Sequence, residues 1–100
     1  MKKIGLTAGL LLGAMSLAQA SDELAKSKNC MTCHSVERKI VGPSYKDIAA
    51  KRAADKGAVA ALAGKIKAGS KGEWGAVPML ANAVSDAEAE TLAKWVLSFK

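Results

Sequence analysis

Both cysteines and the one histidine of the chain fall within the run Cys30-Met31-Thr32-Cys33-His34. This C-x-x-C-H spacing is the attachment pattern of a c-type haem. Two thiols add across the haem vinyl groups, and an imidazole beside the second thiol reaches the iron from one face. A chain that carries the pattern has to fold around a large apolar disc, a tighter constraint than any set by composition. Two other chemistries use a pair of cysteines at this spacing. A structural zinc needs four ligands, and no second cluster of cysteine or histidine completes a tetrahedron here. A thiol-disulfide site normally lies between a strand and a helix in a βαβ setting, and the chain shows no such alternation. Haem attachment is the leading reading, with thiol redox chemistry at Cys30 and Cys33 as the remaining alternative.

The first twenty residues bear on compartment. Lys2 and Lys3 make a positive start, residues 4 to 17 are mostly apolar, and Ala18-Gln19-Ala20 is an A-x-A cleavage pattern. Residues 1–20 are therefore expected to be a secretory signal peptide that is removed. The apolar stretch is short of the roughly twenty residues that span a bilayer, so no stable membrane anchor is expected. Export agrees with haem attachment, which in bacteria takes place outside the cytoplasmic membrane, and the expected location is the periplasm.

Residues 21–100 then form one small domain. A core of that size rarely suffices without a staple such as a metal or a large cofactor. Haem would be that staple, so the haem-free chain is expected to be largely unfolded. Full native helicity in far-UV circular dichroism of a haem-free preparation would contradict this.

Alanine, lysine and leucine abound while β-branched residues are scattered, which predicts an all-helical domain. A first helix fits residues 22 to 29, with Ser21 or Asp22 as its cap. Gly42-Pro43 breaks the chain, and Ser44 with Asp47 makes an N-cap pair for a helix running to about Ala54. Gly57 can stop it. Residues 58 to 69 carry Val59, Leu62, Ala63 and Ile66 at helical spacing, a face expected to meet the haem. Residues 70 to 82, with Gly72, Gly75 and Pro78, read as a loop. Ser85 and Glu88 form a capping box for a last helix whose buried stripe is Ala89, Leu92, Ala93, Val96 and Phe99. Trp95 on that helix is expected to serve packing.

The second axial iron ligand follows by elimination. Met1 and Met15 leave with the leader, and Met31 lies between the two haem cysteines, where it cannot cross to the opposite face. Met79 remains, held by Pro78 in the irregular loop. Methionine also fills gaps in cores, and that use stays open for Met79. Lysine is the main competing ligand, but its amine would have to lose a proton that its ordinary pKa keeps at neutral pH.

Six segments then carry a resemblance: CMTCH, Val41-Gly42-Pro43-Ser44-Tyr45-Lys46-Asp47, Lys65-Ile66-Lys67-Ala68-Gly69-Ser70, Gly72-Glu73-Trp74-Gly75, Val77-Pro78-Met79 and Ala93-Lys94-Trp95-Val96-Leu97-Ser98. In this order and spacing the chain resembles the cytochrome c-551 and cytochrome c8 family. The resemblance implies a small class I cytochrome c fold, about four helices wrapped around one covalently bound haem c. It implies that the Pro43 carbonyl accepts from the free ring nitrogen of His34, a contact that fixes a ligand ring. It also implies that Trp74 donates its indole N–H to a haem propionate with Lys65 nearby, and that Asn82 hydrogen-bonds near the Met79 sulfur. One departure concerns Leu80-Ala81, where close family members often place two prolines. Their absence predicts a looser loop and a more labile Met79–iron bond.

With His34 and Met79 both on the iron, no site is left for oxygen or substrate. The expected function is single-electron carriage between a respiratory donor and a nitrite reductase, peroxidase or terminal oxidase, without enzymatic activity. If Met79 does not ligate, a gas-binding or peroxidase-like haem protein becomes the alternative. The chain is basic, with 15 lysines and arginines against 9 acidic residues. Lys26, Lys28, Lys39, Lys46, Lys51, Lys65, Lys67 and Lys71 are candidates for steering the carrier to acidic faces on redox partners. A plain solvated lysine surface is the simpler alternative. Nothing calls for a nucleic-acid partner, and a monomer is expected.

Overall fold

Capping chemistry sets the boundaries of most helices in the computed structural model, which describes residues 17–100. Helix α1 spans Leu17–Ser27 and α2 is the single turn Cys30–Cys33. Helix α3 spans Tyr45–Lys51, α4 Ala58–Ala68 and α5 Asp86–Leu97. Among the described residues there is no strand, only one isolated antiparallel bridge between Ser70 and Met79. No described helix is long and apolar enough to cross a membrane. Residues 1–16 of the expected leader lie outside the described residues.

The capping box at α5 forms as the sequence indicates. Ser85 Oγ accepts from the Glu88 N–H at 3.1 Å, and Glu88 Oε1 accepts from the Ser85 N–H at 2.9 Å. That backbone hydrogen bond is the main influence holding the Glu88 carboxyl below the usual carboxylate range. At α3, Ser44 Oγ accepts from the Asp47 N–H at 3.0 Å.

Other boundaries differ from expectation. Helix α1 starts at Leu17, ahead of the expected Asp22, so it includes the A-x-A segment, and it ends at Ser27. Asn29, at φ 64°, separates it from α2; asparagine tolerates this left-handed conformation better than most residues. Helix α3 stops at Lys51 and not near Ala54. Arg52 leaves helical geometry at φ −99°, ψ 4°, and Asp55 Oδ1 instead accepts from the Gly57 N–H in a local turn.

The core is centred on α5, which touches α1, α3 and α4. Ala89, Leu92, Ala93, Trp95 and Val96 of α5 are buried, and Phe99 of the expected stripe is half-buried. Ala25, Tyr45, Ile48 and Leu62 complete the same cluster from the other helices. Trp95 is therefore a packing residue, edge-on to Tyr45 at 5.0 Å. Val59, Ala63 and Ile66 of α4 also pack against this cluster, so the helix expected to face the haem directs part of its apolar stripe at α5.

Candidate haem site

The turn Cys30–Cys33 ends where His34 takes extended geometry, with the His34 N–H donating to the Cys30 carbonyl at 3.0 Å. The loop that follows folds back on this turn. Gly42 N–H donates to the Cys33 carbonyl at 2.8 Å, and Tyr45 N–H donates to that of Ser35 at 2.9 Å. This fold-back brings the Pro43 carbonyl oxygen to 2.7 Å from His34 Nδ1. A carbonyl can only accept, so its partner assigns the proton to Nδ1 and leaves the lone pair on Nε2.

The imidazole is buried and walled in on two sides. Tyr45 stacks against it at 5.4 Å between ring centroids. Gly42 approaches so closely that a Cβ built there would stand 2.6 Å from His34 Cε1. The Tyr45 hydroxyl donates to Met31 Sδ at 3.3 Å, which ties down the residue between the two cysteines. Burial pushes the Tyr45 hydroxyl pKa up.

Cys30 and Cys33 are half-buried and not joined to each other. Burial pushes the Cys30 thiol up, whereas reactive thiols in redox enzymes are shifted down. Among the described residues no three His, Cys, Asp or Glu side chains gather to hold a metal ion, so a closed zinc site has no donor set. Two unpaired thiols beside an imidazole with its Nε2 lone pair free are the donor set that a covalently attached haem requires.

Met79 is half-buried in the loop after α4. It exchanges two backbone hydrogen bonds with Ser70, at 2.7 and 3.0 Å. Gly69 makes this approach possible. Its φ is 87°, and a Cβ there would stand 2.7 Å from the Met79 carbonyl oxygen. Asn82 closes the loop on α4, its N–H and Nδ2 donating to the Ile66 carbonyl at 3.2 and 2.9 Å. Nδ2 also donates to the Leu80 carbonyl at 3.3 Å, so both amide hydrogens go to backbone oxygens and not to the Met79 sulfur.

The remaining expected residues meet elsewhere. Trp74 is 39% exposed, with the Lys51 ammonium 4.5 Å from its ring centre. Lys65 Nζ lies 2.9 Å from Glu73 Oε1, and Arg52 and Lys51 reach the same carboxylate. The Lys65 hydrogen bond leads the influences that hold the Glu73 carboxyl below the usual carboxylate range. Cys30, Cys33 and His34 thus share one turn, with Pro43 on the loop folded back on it, while Met79 and Asn82 share the loop after α4, and Lys65 and Trp74 meet Glu73 and Lys51. Sequence reasoning did not find Gly42, Tyr45, Arg52 or Glu73. Gly42 and Tyr45 lie in the matched segment 41–47, but nothing in one sequence shows that they wall in an imidazole.

Residues 18–100 match the family model described as Cytochrome c. Cytochrome c-551 of Pseudomonas aeruginosa is 55% identical over 95% of this chain and 91% of its own length. Cytochrome c-552 of Nitrosomonas europaea is 52% identical over 97% of this chain and 95% of its own. The crystal structure of wild-type cytochrome c552 from the same organism superposes with a TM-score of 0.77 at 56% identity, covering 79% of this chain and 99% of that one. Matched along nearly all of its described length and half identical to these relatives, the chain belongs to the cytochrome c family, small electron carriers that are not enzymes and hold one covalently attached haem c.

Proposed function

We propose that this cytochrome is a periplasmic single-electron carrier in which Cys30 and Cys33 hold haem covalently and His34 Nε2 and Met79 Sδ take the two axial positions. The observation that carries the reading is the Nδ1 contact to the Pro43 carbonyl, which fixes one tautomer of His34 and leaves Nε2 with its lone pair as the ligating nitrogen. Haem c supplies a one-electron couple when bound, and a methionine opposite histidine raises its potential. The chain's part is to keep both ligands in place, so that little rearranges when the charge changes. Tyr45 and Gly42 do this for the imidazole. The Ser70 bridge and Asn82 do it for the Met79 backbone. Trp74 and Lys65 remain the proposed propionate partners, with Lys65 shared with Glu73.

Residues 1–20 are read as the removed leader and 21–100 as the working monomer. Its partners are a respiratory donor and a nitrite reductase, peroxidase or terminal oxidase with an acidic docking face. Ion pairs narrow the lysines available for steering. Lys26, Lys28, Lys46, Lys51, Lys65 and Lys67 each pair with a carboxylate of the chain. Lys39 and Lys71 are exposed and, among the described residues, have no such partner. Electron-transfer rates to the acceptor should fall as ionic strength rises, and a flat profile would remove steering from the account.

Absorption spectra of the purified periplasmic protein test ligation directly. Sharp low-spin bands on reduction, with a weak far-red sulfur-to-iron band in the ferric state, are expected. A high-spin spectrum would mean an open iron and a gas-binding or peroxidase-like protein in place of the carrier.

A further inference from the structure

The loop that carries Met79 is joined to the helices at more than its backbone bonds. Near its start the Glu73 carboxylate meets three cations. Its Oε2 lies 2.5 Å from Arg52 Nη2 and 3.4 Å from Lys51 Nζ, and its Oε1 lies 2.9 Å from Lys65 Nζ. Lys51 and Arg52 close α3 while Lys65 sits on α4, so a single carboxylate is tied to two helices. The Glu73 and Arg52 side chains are only 16% and 18% exposed, and at that burial solvent screens the pair less than it screens a surface pair. Arg52 Nε is buried without a partner, so the guanidinium depends on its carboxylate contacts, chiefly this one, for compensation. Lys51 also sits over the Trp74 ring, and the residue after Glu73 is thereby held by the same cation. On either side Gly72 at φ 84° and Gly75 at φ 123° have backbone conformations that other residues rarely adopt, and the segment between them has no helix or strand of its own.

We infer that Glu73 is a positioning residue for Met79: by clamping the first part of the 70–82 loop to α3 and α4, it sets how readily the methionine leaves the iron. This rests on the reading of Met79 as an axial ligand. The clamp works through charge, because three cations converge on one acidic group. Its loss should release the loop locally and leave the helices in place.

The test uses the haem-loaded protein and its ferric affinity for imidazole, followed by loss of the far-red sulfur-to-iron band. Glu73→Gln keeps the shape and removes the charge, and imidazole affinity is expected to rise about fivefold. Lys65→Gln removes one of the three cations and should raise it by a smaller factor. Ser85→Ala removes the α5 cap, whose bonds run to Glu88 and to no member of the clamp, and should leave affinity within about twofold of the parent despite a comparable loss of global stability. Unchanged affinity in both Glu73→Gln and Lys65→Gln overturns the clamp. An equal rise in Ser85→Ala also overturns it, since the effect would then be general destabilisation. The parent protein separates the two readings. No far-red band there removes Met79 as ligand and the clamp with it, whereas a normal band with unaltered imidazole binding in the clamp variants removes the clamp alone.

Discussion

Around His34 the holding contacts come from residues 30 to 46, while the loop of Met79 is also tied to two separate helices, by Asn82 to Ile66 and by Glu73 to Arg52. The first region is closed by the Gly42–Cys33 and Tyr45–Ser35 hydrogen bonds, the Pro43 carbonyl and the stacked Tyr45 ring, with the imidazole buried. The second depends on the Ser70 bridge, Asn82 reaching Ile66 and Glu73 reaching α3 and α4. Segments with few buried contacts open at lower free energy than the core. On the proposed ligation the two faces of the haem should therefore fail separately, the Met79 face first.

The strongest way to break this contrast is to damage the rigid side. Gly42→Ala puts a methyl into the His34 ring, and guanidinium unfolding of the holoprotein should show a loss of about 3 kcal/mol, at the upper end for overpacking. Gly69→Ala attacks the other side, combining a left-handed φ with a collision at the Met79 carbonyl. It should cost about 2 kcal/mol, and the far-red band should vanish on heating well before helical circular dichroism does. Coincident loss of the two signals would show that the faces do not open independently.

Stiffening the weak side should sharpen the contrast with a smaller effect. The Leu80 and Ala81 N–H groups make no backbone hydrogen bond among the described residues, so proline at both removes no donor in use. Leu80→Pro with Ala81→Pro is expected to stabilise by up to about 1 kcal/mol and to slow cyanide and imidazole binding to the ferric protein. Equal rates before and after would show that loop stiffness does not protect the bond. The smallest effect concerns acid. Glu73 has a folded pKa held down by its cations, so its stabilisation is present above the ordinary glutamate pKa and lost as pH falls through the folded one. Below the ordinary value, Glu73→Gln should lose less stability per unit of acidification than the parent, as read by denaturant titrations at successive pH values.

What could be read from sequence was local. Ser44 with Asp47 and Ser85 with Glu88 are recognisable because a cap and its partner lie three residues apart, and both form. Cys30, Cys33 and His34 are legible because covalent chemistry fixes their spacing. The end of α3 at Lys51, short of the expected Ala54, follows from a turn in which Asp55 takes the Gly57 N–H, and the charge partner of Arg52 at Glu73 lies well beyond the helix. No periodicity announces a contact that joins residues 51, 52, 65 and 73. The Gly42 approach to His34 was invisible for another reason. It is a matter of sterics, and glycine before proline reads simply as a break.

Helix α1 runs through the Ala18-Gln19-Ala20 segment and carries Ser21 inward to 5% exposure. A protease bound to that segment needs an extended strand, and here the segment is helical, its carbonyls accepting helical hydrogen bonds. On the reading of residues 1–20 as a leader, maturation has a direction in time: the cut comes while the chain is still open, since a precursor that wound up this helix first would shield the segment.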